Sequence, residues 1–300
     1  MSLIGEVVLG GRLLALAFGC LLAAHAIGAQ QAAIEQRQRP GAGARVNGGL
    51  NVKSTSALVL DQSGQRVLYS KNIDWVVPIA SITKLMTALI VLESRLPLDE
   101  PIKITNDDRD GLKGTRSRLA VGMSISRDDL LRLALMASEN RAAAALTRAY
   151  PGGTPAFVAA MNRKAAELGM WRTRFVDGTG LSHGNVSSAQ DLSRLVGAAY
   201  RHPLIREYTT DTQHTVQLPK GRKMQFSNSN RLVRNAGWDI GLSKTGYISE
   251  AGRCLVMQAQ IADTPVIIVL LDSWGHLTRI GDANRIKKWM ESTAPRQPAG

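Results

Sequence analysis

A chain of 300 residues with 44% apolar and 20% charged residues is long enough to bury a core, which excludes a disordered or fibrous protein. Its net charge of +13 favours polyanionic partners, but aromatic residues make up only 5% and the basic residues are scattered. No nucleic-acid signature appears, so nucleic acid is not an expected partner. The histidines are few and none are paired at ligand spacing, so no metal or other cofactor is expected.

In chain order, Arg12 introduces an apolar run over residues 13–24, too short for a membrane anchor, followed by the small residues Ala24, Ala26, Gly28 and Ala29. This reads as a signal peptide over 1–29, cut after Ala26 or Ala29, with an uncleaved anchor or buried helix as the alternative. Phe18 argues against lipidation at Cys20, and cleavage leaves only Cys254, so no internal disulfide is expected. The expected location is periplasmic, with membrane contact only through the uncleaved signal peptide. Residues 30–50, rich in Gln, Ala, Gly and Arg, read as a flexible linker.

A strand, a Gly64 turn and a second strand are predicted over 56–61 and 66–69. Leu85, Leu89 and Leu92 recur at helical spacing after Pro78, which predicts a helix from Ser81 to Leu92. A Leu- and Ala-rich helical pattern over 127–148 is interrupted at Ser138-Glu139-Asn140, and further helices are predicted over 154–168 and 189–200. Residues 252–261 and 265–271 read as a hairpin of buried strands. A last amphipathic helix covers about 278–291. Strands at both ends with helices between them predict a mixed α/β fold: an antiparallel sheet flanked by helices, with an adjoining helical region. One catalytic domain over 51–292 is expected, with a tail over 293–300.

Three short motifs could carry chemistry. Ser81-Ile82-Thr83-Lys84 puts a hydroxyl and an amine one turn apart at a helix start, where free N–H groups suit a developing oxyanion. Taken alone it also fits a capped helix with a solvated lysine. Ser138 and Asn140 break a helix, which fits either a turn presenting both side chains or a plain surface break. Lys244-Thr245-Gly246 precedes the most apolar strand. It could grip a carboxylate by charge and hydrogen bond, or be only a turn. Together and in this order, S-x-x-K, S-x-N and K-T-G form the set associated with penicillin-binding proteins and class A β-lactamases. A competing pattern, Gly180-Leu181-Ser182-His183-Gly184, matches the G-x-S-x-G nucleophile elbow, with His276 and Asp239 or Asp272 as conceivable partners. Its surroundings lack the entering strand and immediate helix that this motif needs.

The segments around Ser81, Ser138 and Lys244, together with Asp177-Gly178-Thr179-Gly180-Leu181-Ser182, resemble low-molecular-mass penicillin-binding proteins of the D-alanyl-D-alanine peptidase family, over roughly residues 52 to 292. The resemblance implies a β-lactamase/transpeptidase-like fold, peptidoglycan peptides as substrates and β-lactam antibiotics as covalent inhibitors. Only two strands and a helix fit after Gly246, where membrane-bound carboxypeptidases carry a further domain, so the endopeptidase branch, which cuts cross-links, is expected. A β-lactamase or a non-catalytic penicillin-binding protein is the alternative, and no convincing E-x-x-x-N deacylation motif lies between Asn140 and Lys244. By this resemblance Ser81 is the nucleophile, Lys84 its base, Ser138 a proton relay and Asn140 a positioning group. Lys244, Thr245 and Gly246 bind the substrate carboxylate end, and the N–H groups of Ser81 and Tyr247 form an oxyanion hole. Burial and the Lys244 charge are expected to lower the pKa of Lys84 from about 10.4.

Overall fold

The computed structural model describes residues 49–218 and 221–293. The expected signal peptide, most of the linker and all but the first residue of the tail lie outside the described residues. Leu50 and Val52 are already buried at the start of the described chain.

Five antiparallel strands form the main sheet: β1 (Ser56–Asp61), β2 (Val67–Lys71), β9 (Asp239–Ile248), β10 (Gly252–Ile261) and β11 (Thr264–Ser273), in the order β2-β1-β11-β10-β9. The two ends of the chain therefore share one sheet, as the sequence predicts. β11 shows why its run reads as continuously apolar: Ile267, Val269 and Leu271 face one core, and Val266, Ile268 and Leu270 face the other. A strand buried on both faces loses the apolar–polar alternation of a half-exposed one.

Seven α-helices are present among the described residues: α1 (Thr83–Glu93), α2 (Arg127–Met136), α3 (Asn140–Arg148), α4 (Gly153–Glu167), α5 (Ala189–Tyr200), α6 (Pro203–Thr210) and α7 (Thr278–Thr293). α7 covers one face of the sheet with Ala283, Ile286 and Met290. Its fully buried Asp282 accepts hydrogen bonds from the backbone N–H groups of Lys53 and Ser54 and from the Ser54 hydroxyl, pinning the start of the described chain to its last helix. On the other face, α5 packs against the sheet and against α1. α1 is buried from Thr83 to Val91, as its nearly unbroken apolar sequence dictates. Side-chain caps fix the neighbouring helices: Ser126 accepts from Asp129 N–H at 3.1 Å and Ser188 from Asp191 N–H at 3.1 Å.

The remaining strands are β3 (Val77–Pro78), β4 (Pro101–Lys103), β5 (Ser124–Ser126), β6 (Val186–Ser187), β7 (Gln213–Gln217) and β8 (Lys223–Ser227), and they pair as β3–β6, β4–β5 and β7–β8. One boundary differs from expectation. Ser81 lies in a 3-10 turn, Ala80–Ile82, with the α-helix beginning only at Thr83. Ala80 has φ 47°, a left-handed conformation that alanine adopts at a cost, and it redirects the chain just before Ser81.

Candidate active site

Two glycine-bearing segments pinch the Ala80–Ile82 turn from opposite sides. A Cβ on Gly246 of β9 would lie 3.0 Å from the Ile79 carbonyl oxygen and 3.1 Å from the Ser81 nitrogen. A Cβ on Gly180, at φ +80°, would overlap the Ala80 carbonyl. Close approach of three backbones thus holds Ser81. Gly180→Ala should cost about 3 kcal/mol, since it combines left-handed strain with a backbone clash. The expected readout is a melting midpoint lower by on the order of 10 °C.

The Lys84 ammonium is fully buried one turn from Ser81. It donates to Ser81 Oγ at 2.8 Å, Asn140 Oδ1 at 2.7 Å and the Thr179 carbonyl at 2.6 Å. Burial pushes its pKa down to about 7, against the nearby charges of Asp177, Glu139 and Asp110, which favour the protonated form. Ser138, at φ 59° in the break between α2 and α3, accepts from Lys244 Nζ at 2.8 Å, and Lys244 also donates to its neighbour's carbonyl, Thr245 O, at 2.9 Å. Lys244 is likewise held well below the ordinary lysine range, first by burial and then by the Lys84 and Arg279 charges.

The structure therefore brings all the predicted residues to one place and adds how they divide. Asn140 serves Lys84, whereas Ser138 is bonded to Lys244. Tyr247 lies next to Gly246 on the edge strand, its ring exposed beneath the Arg253 guanidinium. A cleft of about 520 Å³ opens beside the Ser138–Asn140 turn, lined also by Arg116, Arg118 and Phe226.

Several supporting residues carry no signal in the sequence. Ser229 pairs with the Thr245 hydroxyl at 2.8 Å and is anchored by its own N–H on Met136 O. Arg279 donates to Gly246 O at 3.0 Å. Thr115 accepts from Asn140 Nδ2 at 3.1 Å. None of these belongs to a motif. Asp177 stands out in the sequence only as part of a resembling loop, and its carboxylate accepts from the N–H groups of Thr179, Gly180 and Ser182 and from Asn185. This explains the competing G-x-S-x-G pattern. Ser182 Oγ accepts from Gly184 N–H at 3.1 Å within that loop, no strand leads into it, and the next helix begins only at Ala189. Ser182 is a loop residue here and not a nucleophile elbow.

A sheet edge, a central helix and a helix break that together surround a buried Ser–Lys pair define a serine acyl-transfer site. A family profile described as D-alanyl-D-alanine carboxypeptidase matches residues 42–275, and the chain belongs to that family of serine DD-peptidases. It is 52% identical over 240 residues to a D-alanyl-D-alanine endopeptidase of Pseudomonas aeruginosa, covering 80% of this chain and 77% of the relative. It is 46% identical over 242 residues to a D-alanyl-D-alanine endopeptidase of Escherichia coli, covering 80% and 78%. The crystal structure of the Streptomyces K15 DD-transpeptidase superposes with TM-score 0.73 at 26% identity, covering 80% of this chain and 97% of that one.

Proposed function

We propose that the protein hydrolyses D-alanyl peptide bonds in peptidoglycan cross-links through an acyl-enzyme on Ser81. The observation that carries this reading is the fully buried Lys84 amine, 2.8 Å from Ser81 Oγ with its pKa near 7. A lysine that is half neutral near physiological pH can take a serine proton, which an ordinary one cannot. Ser81 Oγ attacks the scissile carbonyl carbon while its proton passes to Lys84. The oxyanion is met by the N–H groups of Ser81 and Tyr247. The C–N bond then breaks as the leaving amine takes the Ser138 proton, which Lys244 replaces through its 2.8 Å bond. Lys84 then gives up its captured proton to solvent and Lys244 regains one. Water attacks the acyl carbon as Lys84 takes one of its protons and returns it to the departing Ser81 Oγ, which regenerates the serine.

Lys244 and Thr245 bind the carboxylate next to the scissile bond. Its arrival restores the Lys244 charge, because an anion within hydrogen-bond reach favours the ammonium. The outer side of β9 supports the peptide by pairing with its backbone. The domain that does this comprises residues 51–292, and the chain works in the periplasm after loss of residues 1–29. Among the described residues no helix is long and apolar enough to cross a membrane.

Penicillin acylates the same serine and stays, because its leaving group remains tethered and the carboxylates near Lys84 are already committed. Asp177 is bonded to its own loop, Glu139 caps α3 through Ala142 N–H at 2.8 Å, and Asp110 binds its own turn. This disfavours a β-lactamase. The test offers purified cross-linked dimeric muropeptides and uncross-linked pentapeptides side by side. Faster release of monomers from the dimers is expected. Faster loss of terminal D-alanine would make the protein a carboxypeptidase, and no release from either would leave only a binding protein.

A further inference from the structure

We infer that Thr115 is a positioning residue for acylation: its hydroxyl, oriented by Asp110, holds the Asn140 amide with Oδ1 towards Lys84. The inference rests on the reading of Ser81 and Lys84 given above. The turn from Asp110 to Thr115 closes on one carboxylate. Asp110 accepts from the N–H groups of Leu112 at 2.8 Å, Lys113 at 2.9 Å and Thr115 at 2.8 Å, and from the Thr115 hydroxyl at 2.6 Å. Slight burial raises the carboxyl pKa, but the bonds from Thr115, Lys113 and Leu112 outweigh it and hold the pKa at about 2. An ionised carboxylate only accepts, so the Thr115 O–H must donate to it.

What Thr115 Oγ has left is acceptance, and the group facing it is Asn140 Nδ2 at 3.1 Å. The two ends of a side-chain amide are nearly isosteric, and only their partners decide which way it points. Here both ends agree. Nδ2 meets an acceptor whose proton is committed, and Oδ1 meets the Lys84 donor at 2.7 Å. A turned amide would set its NH2 against the Lys84 N–H groups and its oxygen against a hydroxyl with no proton to give. The turn is tied to the far wall by the ion pair of Lys113 with Glu250, in the turn between β9 and β10.

This fixed orientation matters when Lys84 becomes an ammonium during acylation, because Asn140 Oδ1 and the Thr179 carbonyl then stabilise the new charge. The other charged groups facing Lys84 are Asp177 from its loop, Glu139 from the break before α3, Asp110 itself and Lys244 from β9. None of them is removed by a change at Thr115. Freeing the amide thus removes one acceptor from the ammonium, lowers the basicity of Lys84 and slows proton capture.

The experiment follows penicillin acylation of the full chain by mass spectrometry against pH, for wild type, Thr115→Val and Thr115→Ser. Thr115→Val is expected to acylate about tenfold more slowly on the plateau, the worth of one oriented hydrogen bond. Its acid limb should move to lower pH with an unchanged melting midpoint, because Thr115 is exposed. Thr115→Ser, which keeps the hydroxyl, should restore both rate and limb. A Thr115→Val profile matching wild type, a slower rate with an unmoved limb, or a serine variant that fails to rescue would overturn the positioning role. An absent adduct on wild type would instead sink the Ser81 reading and take this proposal with it.

Discussion

Replacing Ser81 by alanine is expected to abolish covalent penicillin labelling and to lower D-alanyl peptide hydrolysis on the order of 10⁶-fold, as removal of a nucleophile does in other serine hydrolases. The fold should be unaffected, because Ser81 is small and its backbone is held by the contacts around Gly180 and Gly246 rather than by its hydroxyl. In a mass spectrum the wild type gains one antibiotic and Ser81→Ala gains none. An adduct of undiminished yield on the variant, or one mapped to Ser182, would be incompatible with the mechanism. The wild-type acylation rate should climb as pH rises through about 7, because only the neutral Lys84 accepts the serine proton. It should fall again at higher pH, where a bound carboxylate no longer restores the Lys244 charge.

Lys84→Met is expected to slow acylation by about 10³-fold, the usual contribution of a positioned base, and at neutral pH to raise the melting midpoint. The sign follows from linkage. Below about 7 the lysine is protonated whether the chain is folded or not. From about 7 to 10.5 the folded chain has released a proton that the unfolded chain still holds, so stability climbs with pH across that window. At neutral pH the native protein therefore carries nearly the whole penalty. Its ceiling is ~5 kcal/mol for the drop from 10.5 to about 7, at about 1.4 kcal/mol for each tenfold change in proton affinity. The lost bonds to Asn140 and Thr179 offset part of the gain. Methionine fills the space without the penalty, and the advantage should shrink as pH approaches 10.5. A lower midpoint at neutral pH would mean that Lys84 stays a well-solvated ammonium, and the base assignment would fail. Stability given up at the site for a usable base is the trade-off expected of an enzyme.

Most of the main sheet is legible in the sequence because its central strands are long apolar runs between turn residues, as in β10 and β11. β9 is harder to read. Its first half, Asp239-Ile240-Gly241-Leu242-Ser243, breaks up its two apolar residues with polar and small ones, as on an edge strand that pairs on one side only. The β7–β8 hairpin is not legible in the sequence because of its ten strand residues only Val216 and Phe226 are buried, leaving a polar pattern like that of a loop. α6 spans only two turns, with Pro203 as its one signal. At the site, Ser81 and Lys84 are neighbours by helical spacing, so their pairing could be read directly. The bonds from Ser138 to Lys244 and from Asn140 to Lys84 join residues 106 and 56 positions apart and are visible only in three dimensions. Thr115 could not be read at all, since its role depends on which way one amide faces.

The strand order also sets when the enzyme can begin to work. β1 pairs with β11, Ser56 opposite Leu271, so the strand near the start of the chain waits for one made almost at its end. Until β11 arrives, β1 has only β2 beside it, and a lone two-stranded hairpin is marginal in water. Ser81 waits too, because β9, which supplies Gly246 and Lys244, reaches the sheet only through β10 and β11. Such long-range pairing folds slowly. At roughly 5–20 residues per second, the rate of synthesis, the serine is made on the order of ten seconds before its last partners. A chain made from its N-terminus onwards would therefore stay catalytically silent until its final strands have joined the sheet.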